Sequence, residues 1–251
     1  MQVLSFHLCG KMAHFRRYYT NSSALSYSIP PRTTLSGIIA GLLGYEKDQY
    51  YDDFSLNSCD IAISVRQPLK KSVQTMNLLK IERLDQLNGS SGVPSQTATE
   101  FVLPYDIRRN YLDYKVWFHH HDASLMNELT TLLNKAGPVY GTKGATMALG
   151  TVFNLGWISG FKKVEATQVN EKSAIVIDSV IPMSSLKKLT LDEINEHRLV
   201  REKIPLEFDS QRRITARGLG NVIIDLNGKG IPAIIDSYVQ LESGERIMWM
   251  A

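Results

Sequence analysis

The chain has 251 residues, of which 43% are hydrophobic and 21% charged, with a formal net charge of +3. This is the composition of a globular protein, and it argues against a disordered chain or one that coats DNA uniformly. No run of 18 apolar residues occurs, and the first residues lack a basic segment, so we expect a cytoplasmic protein without a signal peptide or membrane span. Cys9 and Cys59 have no metal-ligand spacing, which argues against a zinc site or a disulfide framework.

Strand and helix patterns alternate at the start of the chain. Apolar and polar residues alternate over 4–9 and again over 59–66, which predicts two half-buried strands. Between them, apolar residues from Leu35 to Leu43 recur at helical spacing after Pro30-Pro31 and stop before Gly44. This pattern predicts a helix with a glycine at its end.

The same order returns after an insertion. The composition of residues 112–120 favours a strand. Asp122 can then cap a helix that Gly137-Pro138 terminates, and residues 151–166 predict a further strand with bends at its glycines. Two successive β-α-β units predict an α+β, ferredoxin-like (RRM-like) βαββαβ domain over 1–170, with both helices on one face of an antiparallel sheet. The other face would be available to RNA.

The insertion, residues 68–111, is too long for a plain loop of a compact domain. It contains two β-compatible runs joined by an Asn-Gly pair and a Gly-Ser-Ser-Gly tip, which predicts a projecting hairpin, called the thumb below. Residues 171–251 predict a smaller β-rich lobe. There we expect a charged, partly helical span, and an Asn-Gly hairpin between the strands NVIIDL and IPAIIDSYVQL.

The segment HFRRYYTNSS, residues 14–23, is the main candidate for function. The first 45 residues contain cations but no Asp or Glu, which favours a phosphate-binding surface. Arginines neutralise phosphates, aromatic rings stack on bases, and short polar side chains donate to phosphates or 2′-hydroxyls, so single-stranded RNA is the expected ligand. A solvated loop with core-facing aromatics is the alternative. The candidate residues are Lys11, His14, Phe15, Arg16, Arg17, Tyr18, Asn21, Ser22 and Arg32.

The glycine-rich segment 137–150 can bring backbone N–H groups close to phosphates, with Lys143 as a point charge, although a plain connection explains it nearly as well. It lacks the Walker spacing, so nucleotide hydrolysis is disfavoured. Among the three histidines at 119–121, only His119 and His121 can share a strand face, and the sequence shows no companion ligand. We therefore expect no metal and no cofactor. A metal-free ribonuclease using His14, a tyrosine, Lys115 and one of these histidines is a less favoured alternative.

Three segments together resemble a known family. VLSFHLCGKMAHFRRYYTNSSALSYSIPPRTTLSGIIAGLLG, KKSVQTMNLLKI and TATEFVLPYDIRRNYLDYKVWF are similar to the Cas-five family of CRISPR-associated proteins, within the RAMP superfamily, and most similar to its type I-B members. The resemblance covers residues 1–165.

The resemblance implies a non-catalytic subunit of the Cascade complex that binds and caps the 5′ repeat-derived tag of the CRISPR RNA. It also implies contacts with the backbone (Cas-seven) and large (Cas-eight) subunits, and with target DNA through the complex. Type I-C relatives cut the repeat with a Tyr/Lys/His set, whereas I-B systems use a separate nuclease; a metal-independent endoribonuclease therefore stays the alternative. By position, the resemblance adds Lys70, Lys71, Gln74, Gly141, Lys143 and Gly144 to the RNA-binding candidates.

Overall fold

The computed structural model describes residues 1–20, 24–77, 84–87, 96–143, 145–190 and 197–251. The helices are α1 (Arg32–Leu43), α2 (Leu84–Leu87) and α3 (Ala123–Leu133). The strands up to residue 169 are β1 (Gln2–Gly10), β2 (Phe15–Arg16), β3 (Ser26–Tyr27), β4 (Cys59–Val65), β5 (Leu69–Asn77), β6 (Gln96–Pro104), β7 (Leu112–His120), β8 (Gly141–Thr142), β9 (Ala145–Thr146) and β10 (Gly156–Val169). The later strands are β11 (Ser173–Ile177), β12 (Ile181–Pro182), β13 (Leu186–Leu189), β14 (Leu199–Pro205), β15 (Leu219–Asp225), β16 (Ile231–Ile235), β17 (Tyr238–Leu241) and β18 (Arg246–Ile247).

The largest sheet has six strands in the order β18-β17-β10-β1-β7-β4, and every neighbouring pair is antiparallel. In chain order, β1, β4, β7 and β10 are the first, second, third and fourth strands of this sheet. Their order across the sheet, β10-β1-β7-β4, is therefore fourth, first, third, second. Helix α1 connects the first two and α3 the last two, and the helices contact each other. The protein is therefore a mixed α/β fold in which strands predominate.

Both longer helices form where the apolar spacing predicts them. Helix α1 follows Pro31 and ends at Gly44, whose φ of 82° is the left-handed conformation that glycine adopts without strain. Helix α3 begins after Asp122, whose side chain accepts a hydrogen bond from the backbone N–H of Ser124 at 2.8 Å. It ends at Leu133, four residues before the predicted glycine stop.

Each face of the large sheet carries its own apolar cluster. The main core includes Leu4, Phe6, Leu8, Ile61, Ile63 and Phe118 from the strands, with Leu35, Ile39, Leu125 and Leu129 from the helices. A smaller cluster consists of Val3, Ala62, Trp117, Ala166, Val239, Leu241 and Ile247, with Trp249 packed against it. The period-two alternation of β1 thus places successive side chains in two different clusters.

The C-terminal residues, predicted as a smaller β-rich lobe over 171–251, form two three-stranded sheets with an apolar cluster of their own, but they also join the first sheet and its core. Strand β17 pairs with β10, opposite Ala166, and so extends the first sheet. Ile204, Leu206, Val222, Ile224 and Met250 belong to the main core. The sequence pattern missed this because pairing between distant strands leaves no local signal.

One expectation for this region is wrong, and another falls partly on residues that the structure does not describe. The NVIIDL and IPAII segments do not pair with each other: β15 pairs with β12 and β14, whereas β16 pairs with β11 and β13. The charged span contains the strands β13 and β14, and its residues 191–196 lie outside the described residues.

Strands β5 and β6 form the two sides of the thumb, in register from Leu69 opposite Pro104 to Asn77 opposite Gln96. Helix α2 lies between them in sequence. The Asn-Gly and Gly-Ser-Ser-Gly segment predicted for the tip lies outside the described residues. No helix in the described ranges is long and apolar enough to cross a membrane.

Candidate nucleic-acid interface

Three predicted elements meet at the end of the sheet where β1 stops. Ala13 and Val102, at the base of the thumb, exchange two backbone hydrogen bonds of 3.0 and 2.9 Å. The N–H of His14 donates to the carbonyl of Leu149, in the glycine-rich segment, at 3.0 Å. Gly150 allows this contact, because a Cβ there would lie 1.9 Å from the His14 carbonyl oxygen. The segment 11–20 is thus held between the thumb and the glycine-rich segment.

Four side chains of this segment face solvent. Lys11 and Arg16 are exposed, and Tyr18 and Tyr19 are 42% and 52% exposed. The two tyrosine rings are perpendicular, with centroids 5.2 Å apart, and Arg16 donates to the carbonyl of Thr20 at 3.1 Å. Cations beside open aromatic faces are the two components of a single-strand RNA surface.

Arg17 and Lys71 are oriented toward a carboxylate of the protein itself. Glu202, only 7% exposed, lies 3.2 Å from a guanidinium nitrogen of Arg17 and 3.2 Å from Nζ of Lys71. Ser28 donates to the same carboxylate through its backbone N–H and its hydroxyl, each at 2.9 Å. Lys71 also lies 3.5 Å from Glu100. These cations therefore hold the segment and the thumb to β14, and much of their charge is compensated.

Arg32 requires a correction. It is 1% exposed, and its guanidinium donates to the backbone carbonyls of Phe54, Ser55, Cys59 and Leu206 at 2.7–3.0 Å. Burial lowers the pKa of this guanidinium, and the negative charge of nearby groups opposes that shift. The predicted RNA contact is therefore wrong. Arg32 instead binds the start of α1 to the segment before β4 and to the residue after β14.

Two of the predicted stacking side chains are also internal. Phe15 is 2% exposed and packs edge-on against Tyr114 at 6.1 Å. His14 is 5% exposed, and its Nδ1 lies 2.7 Å from the carbonyl oxygen of Glu100. Neither side chain can stack on a base in this arrangement, so both assignments are corrected to core packing, the alternative for this segment.

The remaining candidates are divided between solvent and protein contacts. Gln74 and Gly141 are exposed, and Lys70 lies 5.7 Å from the ring centroid of Tyr105. Lys143 donates to the carbonyl of Leu43 at 2.8 Å and forms an ion pair with Glu128. It therefore caps the last turn of α1. Asn21, Ser22 and Gly144 lie outside the described residues.

An aromatic surface beside the segment was missed. Trp157 lies 5.5 Å from Tyr111 and 6.4 Å from Tyr140, measured between ring centroids. Tyr111 and Tyr140 are 41% and 61% exposed, and Phe153, nearby in the chain, is 49% exposed. Because Gly10 of β1 pairs with Leu112 and Gly156, these rings lie at the same end of the sheet as Lys11. Their positions at strand ends were the only sequence signal.

A groove of about 290 Å³ runs between α1 and the glycine-rich segment. Gly37 and Gly41 lie four residues apart on α1 and both line it, together with Gly150. A Cβ at Gly41 would meet nothing within 4 Å, so this side of the helix is open. The groove lets a ligand backbone approach the protein backbone closely.

The three histidines are distributed as strand alternation predicts, with His119 and His121 together and His120 apart from them. His120 is buried, with Nε2 2.8 Å from the carbonyl oxygen of Asp53, whereas His121 is exposed. Asp60, His119 and His121 bring their ligand atoms within 4.8 Å of one another. Burial raises the pKa of Asp60, and the two imidazoles oppose that shift. The carboxylate beside the two histidines, which the sequence did not reveal, is that of Asp60.

The side chains considered for a ribonuclease occupy separate environments. Lys115 forms an ion pair with Glu245 at 2.6 Å on the large sheet, His14 lies at the thumb base, and His120 packs near Phe54 with ring centroids 5.9 Å apart. These three side chains therefore contact different parts of the protein.

Residues 3–114 match the family model described as CRISPR-associated protein (Cas_Cas5). Over these residues the chain is similar to the Cas5 family of CRISPR-associated proteins. The matched residues contain β1, α1, β4 and the thumb strands, and therefore the segment 11–20 that meets the thumb.

Solved structures were also compared with this chain. A CRISPR protein from Archaeoglobus fulgidus aligns over 100% of both chains with a TM-score of 0.60 and 12% identity. A chain of a CRISPR RNA-guided surveillance complex aligns over 92% of this chain and 91% of its own, with a TM-score of 0.47 and 13% identity. No curated protein matches the sequence.

Proposed function

We propose that this chain is a Cas5-family, non-catalytic RNA-binding subunit of a type I, I-B-like CRISPR complex, in which it caps the 5′ repeat-derived tag of the CRISPR RNA. The observation that carries the proposal is the exposed group Lys11, Arg16, Tyr18 and Tyr19, which backbone hydrogen bonds at Ala13 and His14 hold against the thumb and the glycine-rich segment. Cations at this surface would neutralise phosphates, and its rings would stack on unpaired bases.

We also infer that β1, β4, β7 and β10, with α1 and α3, form a ferredoxin-like unit of the RAMP type. The strand order fourth, first, third, second and the antiparallel neighbours support this inference. In such a unit the start of α1 and the end of β1 are near each other, which places the RNA surface beside the groove along α1.

The partners in this proposal are the CRISPR RNA, a Cas-seven backbone subunit and a Cas-eight large subunit, with target DNA reached through the complex in the cytoplasm. Exposed apolar side chains support protein contacts: Val73 on the thumb is 62% exposed, and Val152 and Leu155 are 83% and 58% exposed.

The environments of the candidate acid and base groups support a non-catalytic role. His14 and His120 are nearly inaccessible to substrate, and each has a ring nitrogen bonded to a backbone carbonyl. A general base must lie within hydrogen-bonding reach of the 2′-hydroxyl whose proton it takes. Neither imidazole meets that requirement without movement of the thumb base or of β7.

RNA binding by the purified chain tests the proposal. The Lys11→Ala/Arg16→Ala double variant should bind a fluorescent tag RNA more weakly, and the slope of log K against log salt should fall by about 1.4, roughly 0.7 for each lost phosphate contact. The matched control is Lys162→Ala/Lys163→Ala, which removes two exposed cations from β10. Equal slopes for the two double variants would contradict the assigned RNA surface.

A second experiment distinguishes the non-catalytic capping role from the endoribonuclease alternative. The chain is incubated with repeat RNA in EDTA, and the products are resolved by length. Uncut RNA supports the non-catalytic capping role. Specific cleavage that is lost on His14→Ala or His120→Ala would instead establish the metal-independent endoribonuclease.

A further inference from the structure

Asp60, His119 and His121 form a compact group at the far end of the large sheet from the RNA surface. Asp60 and His119 are directly paired across the β4–β7 ladder. His121 follows two residues later, just beyond β7, and its ring centroid lies 5.7 Å from that of His119. One ligand atom from each of the three residues lies within 4.8 Å of the other two.

The hydrogen bond of His119 orients its ring for a ligand. Nδ1 lies 2.8 Å from the carbonyl oxygen of Gln2, which can only accept a hydrogen bond. The proton must therefore be on Nδ1, so the lone pair of the neutral ring is on Nε2. Metal-binding histidines in proteins characteristically donate their second N–H to a carbonyl or carboxylate in this way.

The three groups are close enough to share one ion after small side-chain movements. Ligand atoms about 2.0–2.1 Å from a tetrahedral ion lie roughly 3.3 Å apart, so the group needs to contract by about 1.5 Å at most. His121 can supply that movement because its side chain is exposed, while its backbone N–H is held by the carbonyl of Ser58 at 3.0 Å.

We propose that Asp60, His119 and His121 bind a divalent transition-metal ion, with Zn²⁺ the best match. Two imidazoles and one carboxylate suit Zn²⁺, and a water molecule would complete the tetrahedron. Mg²⁺ and Ca²⁺ prefer oxygen ligands and should bind poorly. The ion would link β4, β7 and the residue before the cap of α3. The site is separate from the RNA surface, so it does not depend on the proposed function.

Isothermal titration of the full chain with Zn²⁺, after removal of any histidine tag and of bound metal, tests the site. We expect one Zn²⁺ per chain and a higher melting temperature with Zn²⁺ than without it. Changing a group that supports a ligand typically weakens metal binding by about 10–100-fold, so His121→Ala and Asp60→Asn should each weaken it by about 100-fold or more. Mg²⁺ at the same concentration should give neither effect.

His7→Gln is the matched control. Nδ1 of His7 lies 2.7 Å from the Asp113 carboxylate on the same sheet, but this pair is not in any three-ligand group within the described ranges. The control should bind Zn²⁺ as the unchanged chain does, and circular dichroism should show that all three variants are folded. Absence of Zn²⁺ binding by the unchanged chain, or equal affinity in folded His121→Ala and Asp60→Asn, would overturn the proposal.

Discussion

Replacing Glu202 tests whether its carboxylate holds the segment 11–20 and the thumb to the rest of the protein. In Glu202→Ala, the two buried donors of Ser28 lose their acceptor, and Arg17 and Lys71 lose a shared counter-charge. Glu202→Gln keeps one oxygen acceptor but removes the charge. The two variants therefore separate the contribution of the hydrogen bonds from that of the ion pairs.

The expected loss of stability in the Glu202 variants follows from the burial of the Glu202 side chain. Removing one partner of a buried ion pair typically costs about 3–5 kcal/mol. The Glu202 side chain is only 6% exposed, but those of Arg17 and Lys71 are 24% and 23% exposed, so water can partly replace the lost carboxylate. We therefore expect Glu202→Ala to lower the free energy of unfolding by about 2–4 kcal/mol, and Glu202→Gln by about half of that.

Thermal unfolding followed by circular dichroism measures the difference. At this chain length, 1 kcal/mol shifts Tm by about 2–4 °C, so a loss of about 3 kcal/mol in Glu202→Ala should lower Tm by about 6–12 °C. The control Glu242→Gln changes an exposed acid near the C-terminus and should leave Tm within about 1 °C. If the Tm of Glu202→Ala equalled that of the control, Glu202 would not hold the segment 11–20 and the thumb to β14.

Three further predictions follow from burial and backbone conformation. Arg32→Ala should lower Tm more than Arg16→Ala, because it removes a buried guanidinium that donates to four backbone carbonyls. A smaller loss of Tm in Arg32→Ala would refute the structural role of Arg32. Gly150→Ala should destabilise the folded protein more than Gly137→Ala. Both glycines have positive φ, but only at position 150 would the added Cβ meet a backbone oxygen at 1.9 Å. Equal urea midpoints for the two variants would contradict the close approach of Gly150 to the His14 carbonyl. Burial raises the pKa of Cys9 to about 12 and of Cys59 to about 11, so both thiols should resist alkylation at pH 8 until the chain unfolds, and fast labelling of the native chain would refute this. Because the thiols of the unfolded chain lose their protons at lower pH than those of the folded chain, the free energy of unfolding should fall as pH rises from about 9 toward 11.

Local periodicity was sufficient to predict the elements that position the candidate RNA surface. The alternation in β1, the apolar spacing of α1 and the Asp122 cap all depend on residues within one or two turns of one another. For the same reason β7 and the second thumb strand, β6, were predicted close to their observed bounds. These elements account for the part of the fold that the sequence revealed.

Burial of single residues in the site was not predictable, because it depends on distant partners. Arg32 and Arg16 are chemically alike, yet the carbonyl of Leu206, 174 residues away in sequence, accepts from one of them in the interior. Glu202 lies 185 residues from Arg17, so the acid-free composition of the first 45 residues did not reveal the counter-charge. Asp60 meets His119 only through strand register, which one sequence does not specify.

The burial of Met250 has a consequence for how the protein is made. Its side chain is 1% exposed within the main core, and its N–H donates to the carbonyl of Ile61 on β4, an edge strand of the large sheet. A nascent chain that has reached only residue 170 contains the whole candidate RNA surface but leaves apolar side chains of its core uncovered. Folding is therefore completed only after residue 250 has emerged from the ribosome, and until then the half-built core is open to chaperones and to aggregation.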